Sequence, residues 1–325
     1  MKIELKRIDI SYVDELQTVF EMAPNYTLKV DGISTVPEDS AKSAIKALPP
    51  DIDYKNKYVF LIKYKDEFIG AVDLIKGYPA KDTAYIGLLL LSENMQGRGL
   101  GEASYKAIEK YILNNFQITK IQLSYVESNP VIKFWEKQGF YKIGDRKPYK
   151  GINNRSFSQK MEKELMLFLE PEEYQEKVHS IFLRVKEDLK EKIDITRFEH
   201  IGASSIKGLV SKGDLDIFLG VDKDRFEQEI SNLKDSGFYE KQDTLRNDEL
   251  CMMVTDKYRY DVAIQVVVNG SKFENFLKFR DLLNNRDDLV EELNALKRRC
   301  HGMTPVEYRL SKSKWIENVI NTHIC

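Results

Sequence analysis

Cysteine is scarce in this chain. There are three in 325 residues, Cys251, Cys300 and Cys325. The number is odd, the spacing wide, and neither a C-x-x-C nor a Cys/His cluster occurs. That excludes a zinc signature and a disulfide scaffold, and reads as reduced thiols in a cytoplasmic protein. Long apolar runs are missing too. Ile86 to Leu91 is among the longest, far short of a membrane span. The N-terminal M-K-I-E-L-K-R alternates charge and apolar residues without the apolar stretch of a signal peptide. Nor is there an excess of one charge sign, with 50 basic against 52 acidic residues. Residues 1–165 hold 25 Lys+Arg and 22 Asp+Glu, net +3, and the remainder 25 and 30, net −5. Neither half has the basic surplus that phosphate-backbone binding requires, so nucleic acid is excluded as a partner class, and so is a membrane. Internal repeats and low-complexity tracts are absent.

What is present suits two α+β domains. Hydrophobic residues make up 42% of the chain, enough for two cores. In residues 1–165, strand patterns at 2–8, 57–64, 68–76, 84–91, 119–126 and 156–165 mix with helical patterns at 12–22, about 101–115 and just before Gly139. Lys65, Asp66 and Glu67 join the second and third strands as a hairpin. The stretch 166–171 reads as a linker, and Pro171 with the acidic pair after it as a helix first turn. From 172 to 325 the pattern predicts a helix to about Ile193, strands at 195–201, 215–221 and 258–268, a helix at 224–235, and helices from Ser271 almost to the end.

Q-G-R-G-L-G, Gln96 to Gly101, stands between an apolar strand and an amphipathic helix. Glycines permit a tight turn and close ligand approach. The free N–H groups and dipole of the helix start then favour an anion, so the turn suits a phosphate or pyrophosphate. It has neither the G-x-G-x-x-G spacing nor a Walker lysine followed by Ser/Thr. This turn resembles the Q/R-x-x-G-x-G/A motif of the GNAT family of N-acetyltransferases. N-P-V-I-K-F-W-E-K-Q-G-F, Asn129 to Phe140, resembles that family's N-x-x-A-x-x-F-Y/W-x-K-x-G-F, with Ile132 in place of Ala. The resemblance covers about residues 1–165. It implies a mixed, strongly bent sheet flanked by helices, and acetyl-CoA as donor. The amides of Gly97, Arg98, Gly99, Leu100 and Gly101 would hold the pyrophosphate, with Gln96 opening the motif. The strand edge from Leu89 to Leu91 would pair with the pantetheine arm, and Asn129 would sit beside it. Transfer in the family is direct, from thioester to amine. Many members have a tyrosine acid where this chain has Trp135, which has no proton to give and is read as core. The family's usual glutamate base on the fourth strand is also missing: Tyr85, Gly87 and Leu89 occupy those places. Glu127 and Asp73 stand as substitutes.

The second half carries G-D-L-D-I-F-L-G-V, residues 213–221. On a strand, Asp214 and Asp216 share one face. Asp261 interrupts another apolar strand pattern, and G-A-S-S, residues 202–205, ends a strand upstream. Three carboxylates near one point repel unless metal ions neutralise them, and magnesium held by aspartates and substrate phosphates is a common answer. The order G-x-S, D-x-D, lone Asp resembles the nucleotidyltransferase superfamily with the polymerase-β-like fold. Residues 175–322 resemble its GrpB-like members in E-H-I-G-A-S-S-I-K-G-L-V-S-K-G-D-L-D-I, in F-R-D-L-L-N-N and in the late L-K-R-R…Y-R-L-S-K-S-K-W-I. Ala203, Lys207 and Gly213-Asp214 depart from the usual Ser, Pro and Pro-Ile of those members, and Gln265 replaces a frequent His. The resemblance implies Mg2+ on Asp214, Asp216 and Asp261, with Asp261 also the base. It implies an NTP cradled by Gly202, Ser204 and Ser205. His200 reads as structural. Arg280 with Asp281, Lys297 with Arg298, and Lys312 to Lys314 read as charged, solvated helix faces.

Together these features describe acetyl transfer to a small-molecule amine, such as an aminoglycoside-like compound, beside nucleotidyl transfer from Mg-NTP. Two alternatives stand: a second domain that only binds a nucleotide or acceptor, and acetylation of a protein N-terminus or lysine.

Overall fold

The two longest helices each open on proline, at Pro171 and Pro305, and both belong to the second of two units. The computed structural model describes residues 1–323 and divides after Leu165. Cys325 lies outside the described residues.

In the first unit, β1 (Glu4–Ile8) leads to α1 (Val13–Glu21), α2 (Pro24–Asp31) and α3 (Ser40–Lys46). Then come β2 (Lys57–Tyr64), β3 (Glu67–Lys76), β4 (Thr83–Leu91), α4 (Leu100–Asn115), β5 (Lys120–Val126), α5 (Ile132–Lys137), β6 (Tyr141–Lys150) and β7 (Arg155–Glu164). They build a seven-stranded sheet of order β1-β2-β3-β4-β5-β7-β6, antiparallel except for β4 and β5. Helix α1 buries Leu16, Val19 and Phe20, and α4 buries Leu100, Tyr105, Ile108 and Ile112, each on the stripe that a 3.6-residue period aligns. The β2–β3 hairpin closes through Lys65 and Asp66, both at positive φ, as a two-residue turn requires. Glu67, expected in that turn, instead pairs with Tyr64.

The sheet opens at one place. Asp73 pairs with Leu88 and Leu74 with Ile86, so Gly87 is an extra residue, a β-bulge that bends β4. Pairing of β4 with β5 covers only Thr83–Ile86 against Lys120–Leu123. Beyond it the two strands part, and Gly87–Leu91 keeps a neighbouring strand on the β3 side alone.

In the second unit, α6 (Pro171–Leu189) is followed by β8 (Phe198–Ile201), β9 (Leu215–Val221), α7 (Phe226–Asp235), β10 (Tyr239–Glu240), β11 (Leu250–Thr255) and β12 (Val262–Val268). Three helices end it: α8 (Asn275–Asn284), α9 (Asp287–Arg299) and α10 (Pro305–His323). The five-stranded sheet has the order β10-β11-β12-β9-β8, with β12 and β9 parallel. A capping box between Glu170 and Glu173 starts α6. The stretch read as a linker is hydrogen-bonded into this unit. Met166 N–H donates to the Met303 carbonyl at 2.8 Å, and Leu169 bridges to Ser211. The three last helices share a core of Leu283, Leu289, Leu293 and Tyr308 with Ile206 and Leu209.

Five elements have no counterpart among the expected ones: α2, α3, β6, β10 and β11. Strand β6 is an edge strand with charged residues on both faces, so it lacks the alternation by which strands are read, while its lysines protect an open edge.

Candidate functional site

The parting of β4 and β5 makes a cleft of about 240 Å³ in the first unit. Leu89, Leu91, Gln96, Gly101, Asn129 and Trp135 all line it. Gln96 Nε2 donates to the Leu91 carbonyl at 2.8 Å, which ties the glycine turn to the end of β4. Gly97 and Gly99 take positive φ, and Gly99 caps α4 without any side-chain hydrogen bond to the helix start. Nothing lies within 4 Å of where a Cβ on Gly97 would stand. The turn thus combines free helix-start amides with open space, and the residues present fit a pyrophosphate. Arg98 is exposed beside it, whereas Leu100 turns inward to pack on Ile62, Ile69 and Leu91.

Trp135 packs edge-to-face on Tyr105 and Phe140 and is buried. Of the two substitute bases, neither lines the cleft. Asp73 is buried under the Gly87 bulge, where Lys57 Nζ reaches both of its carboxylate oxygens at 2.9 Å. Burial raises its pKa and the ammonium only partly opposes this. Glu127 is exposed and faces Arg146 at 3.5 Å. Absent from the sequence reading is α2, which brings Tyr26 and Lys29 to the cleft. Burial, with Tyr149 and Asp31 nearby, pushes the Tyr26 phenol up to about 12. Pro24 at the first helical turn and Gly32 at the left-handed C-cap mark that helix in the sequence.

A second cavity, of about 510 Å³, lies in the second unit. Gly202 and Asp216 line it, as expected of those residues. Gly202 has no substitute there: its φ is +74°, and a Cβ would stand 2.4 Å from Asp216 Oδ2. The serines of the turn face elsewhere. Ser204 Oγ shares a 2.9 Å hydrogen bond with His200 Nε2, and Ser205 Oγ donates to the Gly202 carbonyl at 2.8 Å. Burial holds His200 down at about 4, so its ring is neutral, stacked on Phe182. The turn is therefore a self-satisfied structure, which corrects the expectation of two serine hydroxyls aimed at phosphate.

The three aspartates need a second correction. The register Leu215↔Val262 and Asp216↔Ala263 puts Asp214, Asp216 and Asp261 on one face of the sheet. Yet among the described residues no three or more Asp, Glu, His or Cys side chains form a group able to hold a metal ion. Asp261 precedes β12, is exposed, and lines a separate groove with Tyr239, Glu240 and Arg259. Asp216 is raised well above the carboxylate range, by burial first, by Asp214 second and by Asp261 to a smaller extent. Lys312 from α10 acts against that rise. Lys297 from α9 is 2% exposed and donates to the Val210 carbonyl at 2.5 Å. Burial, with Lys312 nearby, pushes Lys297 down to about 7. Both lysines line the cavity, so the reading of them as solvated helix faces is wrong. The signal of Lys297 in the sequence is a lysine on the apolar stripe of α9, between Leu293, Leu296 and Cys300. Arg280 also lines the cavity, held by Glu199 at 2.8 Å and donating to the His200 carbonyl. Lys297 and Lys312 thus share the cavity of Asp216, and the residues present do not fit the two-ion arrangement.

Among the described residues no helix is long and apolar enough to cross a membrane. The acetyltransferase (GNAT) family model matches residues 30–140, and the GrpB protein family model matches residues 169–322. The UPF0157 protein VC_A0354 of Vibrio cholerae is 43% identical over 155 residues, which is 48% of this chain and 82% of that protein. An acetyltransferase structure from Thermus thermophilus is similar at 23% identity, covering 51% of this chain and 98% of that one, with a TM-score of 0.42. A spermidine N-acetyltransferase from Vibrio cholerae, solved with CoA and spermine, is 16% identical over 50% of this chain and 95% of that one, with a TM-score of 0.40. The chain therefore belongs to two families in tandem, a GNAT acetyltransferase domain followed by a GrpB domain.

Proposed function

We infer that the first unit transfers the acetyl group of acetyl-CoA to the amine of a small molecule. The observation that carries this reading is the parted β4–β5 cleft ending in an uncapped glycine turn. Gly97, Arg98, Gly99, Leu100 and Gly101 offer backbone amides to a pyrophosphate, and Leu89 to Leu91 an unpaired strand edge to an amide-bearing arm. Bound acetyl-CoA supplies the acyl thioester. Asp73 serves as the counter-charge of Lys57 rather than as a base. Tyr26 Oη, with that of Tyr125, is a protonated hydroxyl that the cleft offers where Trp135 offers none. Acetyl-CoA use and the buried thiols Cys251 and Cys300 suit a cytoplasmic setting.

For the second unit, a binding module is favoured over a magnesium-dependent nucleotidyltransferase, because two lysines share the Asp216 cavity and no group of three metal-ligating side chains forms among the described residues. A small polyamine or aminoglycoside-like compound is the acceptor proposed for the first unit. Incubation with acetyl-CoA, Mg-NTPs and a panel of such amines, read by mass spectrometry, tests both readings. Acetylated product without nucleotidylated product is expected. Acetylation of added proteins alone would move the acceptor to a protein amine, and a nucleotidylated product would restore the transferase reading.

A further inference from the structure

We propose that the cavity of the GrpB unit is a metal-independent receptor for a small organic anion with an apolar, ring-sized body. The proposal rests on reading this unit as a binding module and gives that module a ligand class.

The argument begins with charge. Four cations line the cavity, Lys272, Arg280, Lys297 and Lys312, against one acid, Asp216. Arg280 is already committed to Glu199 and Asp281. Lys297 and Lys312 form no ion pair within 4.0 Å among the described residues, although Lys297 is almost wholly buried. Removing an ammonium from water is costly unless it is paired and hydrogen-bonded. The Val210 carbonyl satisfies one of the three Lys297 protons. An anion entering the cavity supplies the missing acceptors and the missing charge together. Asp216, pressed against Gly202, offsets part of the positive charge and selects against larger polyanions.

Shape and polarity specify the rest of the ligand. The volume, about 510 Å³, falls in the range of small-molecule sites. Helix α8 and the turn before it turn three phenylalanines, Phe273, Phe276 and Phe279, toward the space. Aromatic walls with a few convergent polar groups at one end suit a ring-bearing carboxylate or phosphate monoester. The lysines come from α9 and α10, not from the strands that bear the aspartates, so the positive charge is part of the protein.

Isothermal titration of the full-length protein with 1-naphthyl phosphate, 1-naphthoate and the uncharged 1-naphthylmethanol tests this, first with EDTA and then with excess magnesium chloride. At least one anionic probe should bind equally with and without magnesium, and the alcohol at least about tenfold more weakly, the worth of a charge-assisted hydrogen bond. Whichever anion binds more tightly assigns the head group. Lys312→Met should lower that affinity about 10- to 100-fold, while Lys312→Arg retains most of it. Lys297→Met should act likewise. If it fails to fold, the half-buried Lys312 position still decides. A magnesium requirement, equal binding of the alcohol, or affinity unchanged in both methionine variants overturns the proposal. Incubation of the same protein with Mg-NTPs separates the possible failures. Nucleotidyl product overturns the binding-module reading and the proposal with it. Neither product nor anion binding overturns the proposal alone.

Discussion

Both units set a glycine-bearing turn after a strand, and the two turns use glycine for opposite ends. In the GNAT unit, the space beside Gly97 is empty to 4 Å, and Gly99 leaves the start of α4 without a side-chain cap. In the GrpB unit, the space beside Gly202 is filled by Asp216, and the two serines that follow are bonded to His200 and to the turn's own carbonyl. One turn holds backbone donors free for a ligand, while the other is consumed in holding a carboxylate. The comparison teaches that a small-residue turn is evidence of anion binding only when its donors are unspent. In the second unit the unspent donors belong to lysines on α9 and α10.

The comparison can be broken at several points. The largest effect belongs to the buried pair beneath the β4 bulge. Lys57→Met strands Asp73 in the interior and should cost about 3 kcal/mol of stability in the GNAT unit, measured by urea unfolding. Asp73→Asn, by contrast, should leave the pH profile of acetyl transfer unchanged, since the carboxylate is no base; loss of the basic limb would return that role to it. Next is the glycine turn itself. Gly101→Val adds carbons toward Phe134, whose ring already lies 3.4 Å from where a Cβ on Gly101 would stand. It should raise the KM for acetyl-CoA about 100-fold with little change in melting temperature. Gly202→Ala should show the reverse pattern. It forces a Cβ against Asp216 at positive φ and should destabilise the GrpB unit by about 1–3 kcal/mol while acetyl transfer persists.

The last effect is a slope with pH, set by Lys297. Its folded pKa, about 7, lies below the unfolded value near 10.4. Between these values the unfolded chain binds the extra proton, so this lysine makes stability rise with pH, by about 1.4 kcal/mol per pH unit at most. Below pH 7 both states are protonated and its contribution is constant. Lys297→Met should therefore remove a rise between about pH 7 and 10 in denaturant midpoints. An unchanged profile would mean that the lysine is not desolvated, and would weaken the contrast between spent and unspent donors.

Much of the fold can be read along the chain. The strands and helices with a strong single period, α1, β2, β4, α4 and β9, stand close to where their apolar spacing places them, because each buries one stripe or face. The glycine turn is legible as well, since local backbone chemistry dictates it, while the motif resemblance alone singles out Asn129. Elements whose partners supply the missing information are not. Strand β11 depends on pairing with β12, and β6 on pairing with β7, for hydrogen bonds that no periodicity announces.

The sequence by itself determined the two families, the order of their elements and the glycine turn before α4, because these follow from periodicity, turn chemistry and motif spacing. Tertiary structure alone decided which charges meet. Asp216 stands on β9 and Asp261 just before the neighbouring β12, and only Asp216 lines the cavity that the lysines enter. Lys297 and Lys312 come from helices more than seventy residues away along the chain to share a cavity with Asp216. The physical reason is that a side chain's electrostatic partners are set by packing across the fold, where distance in space has no fixed relation to distance in sequence.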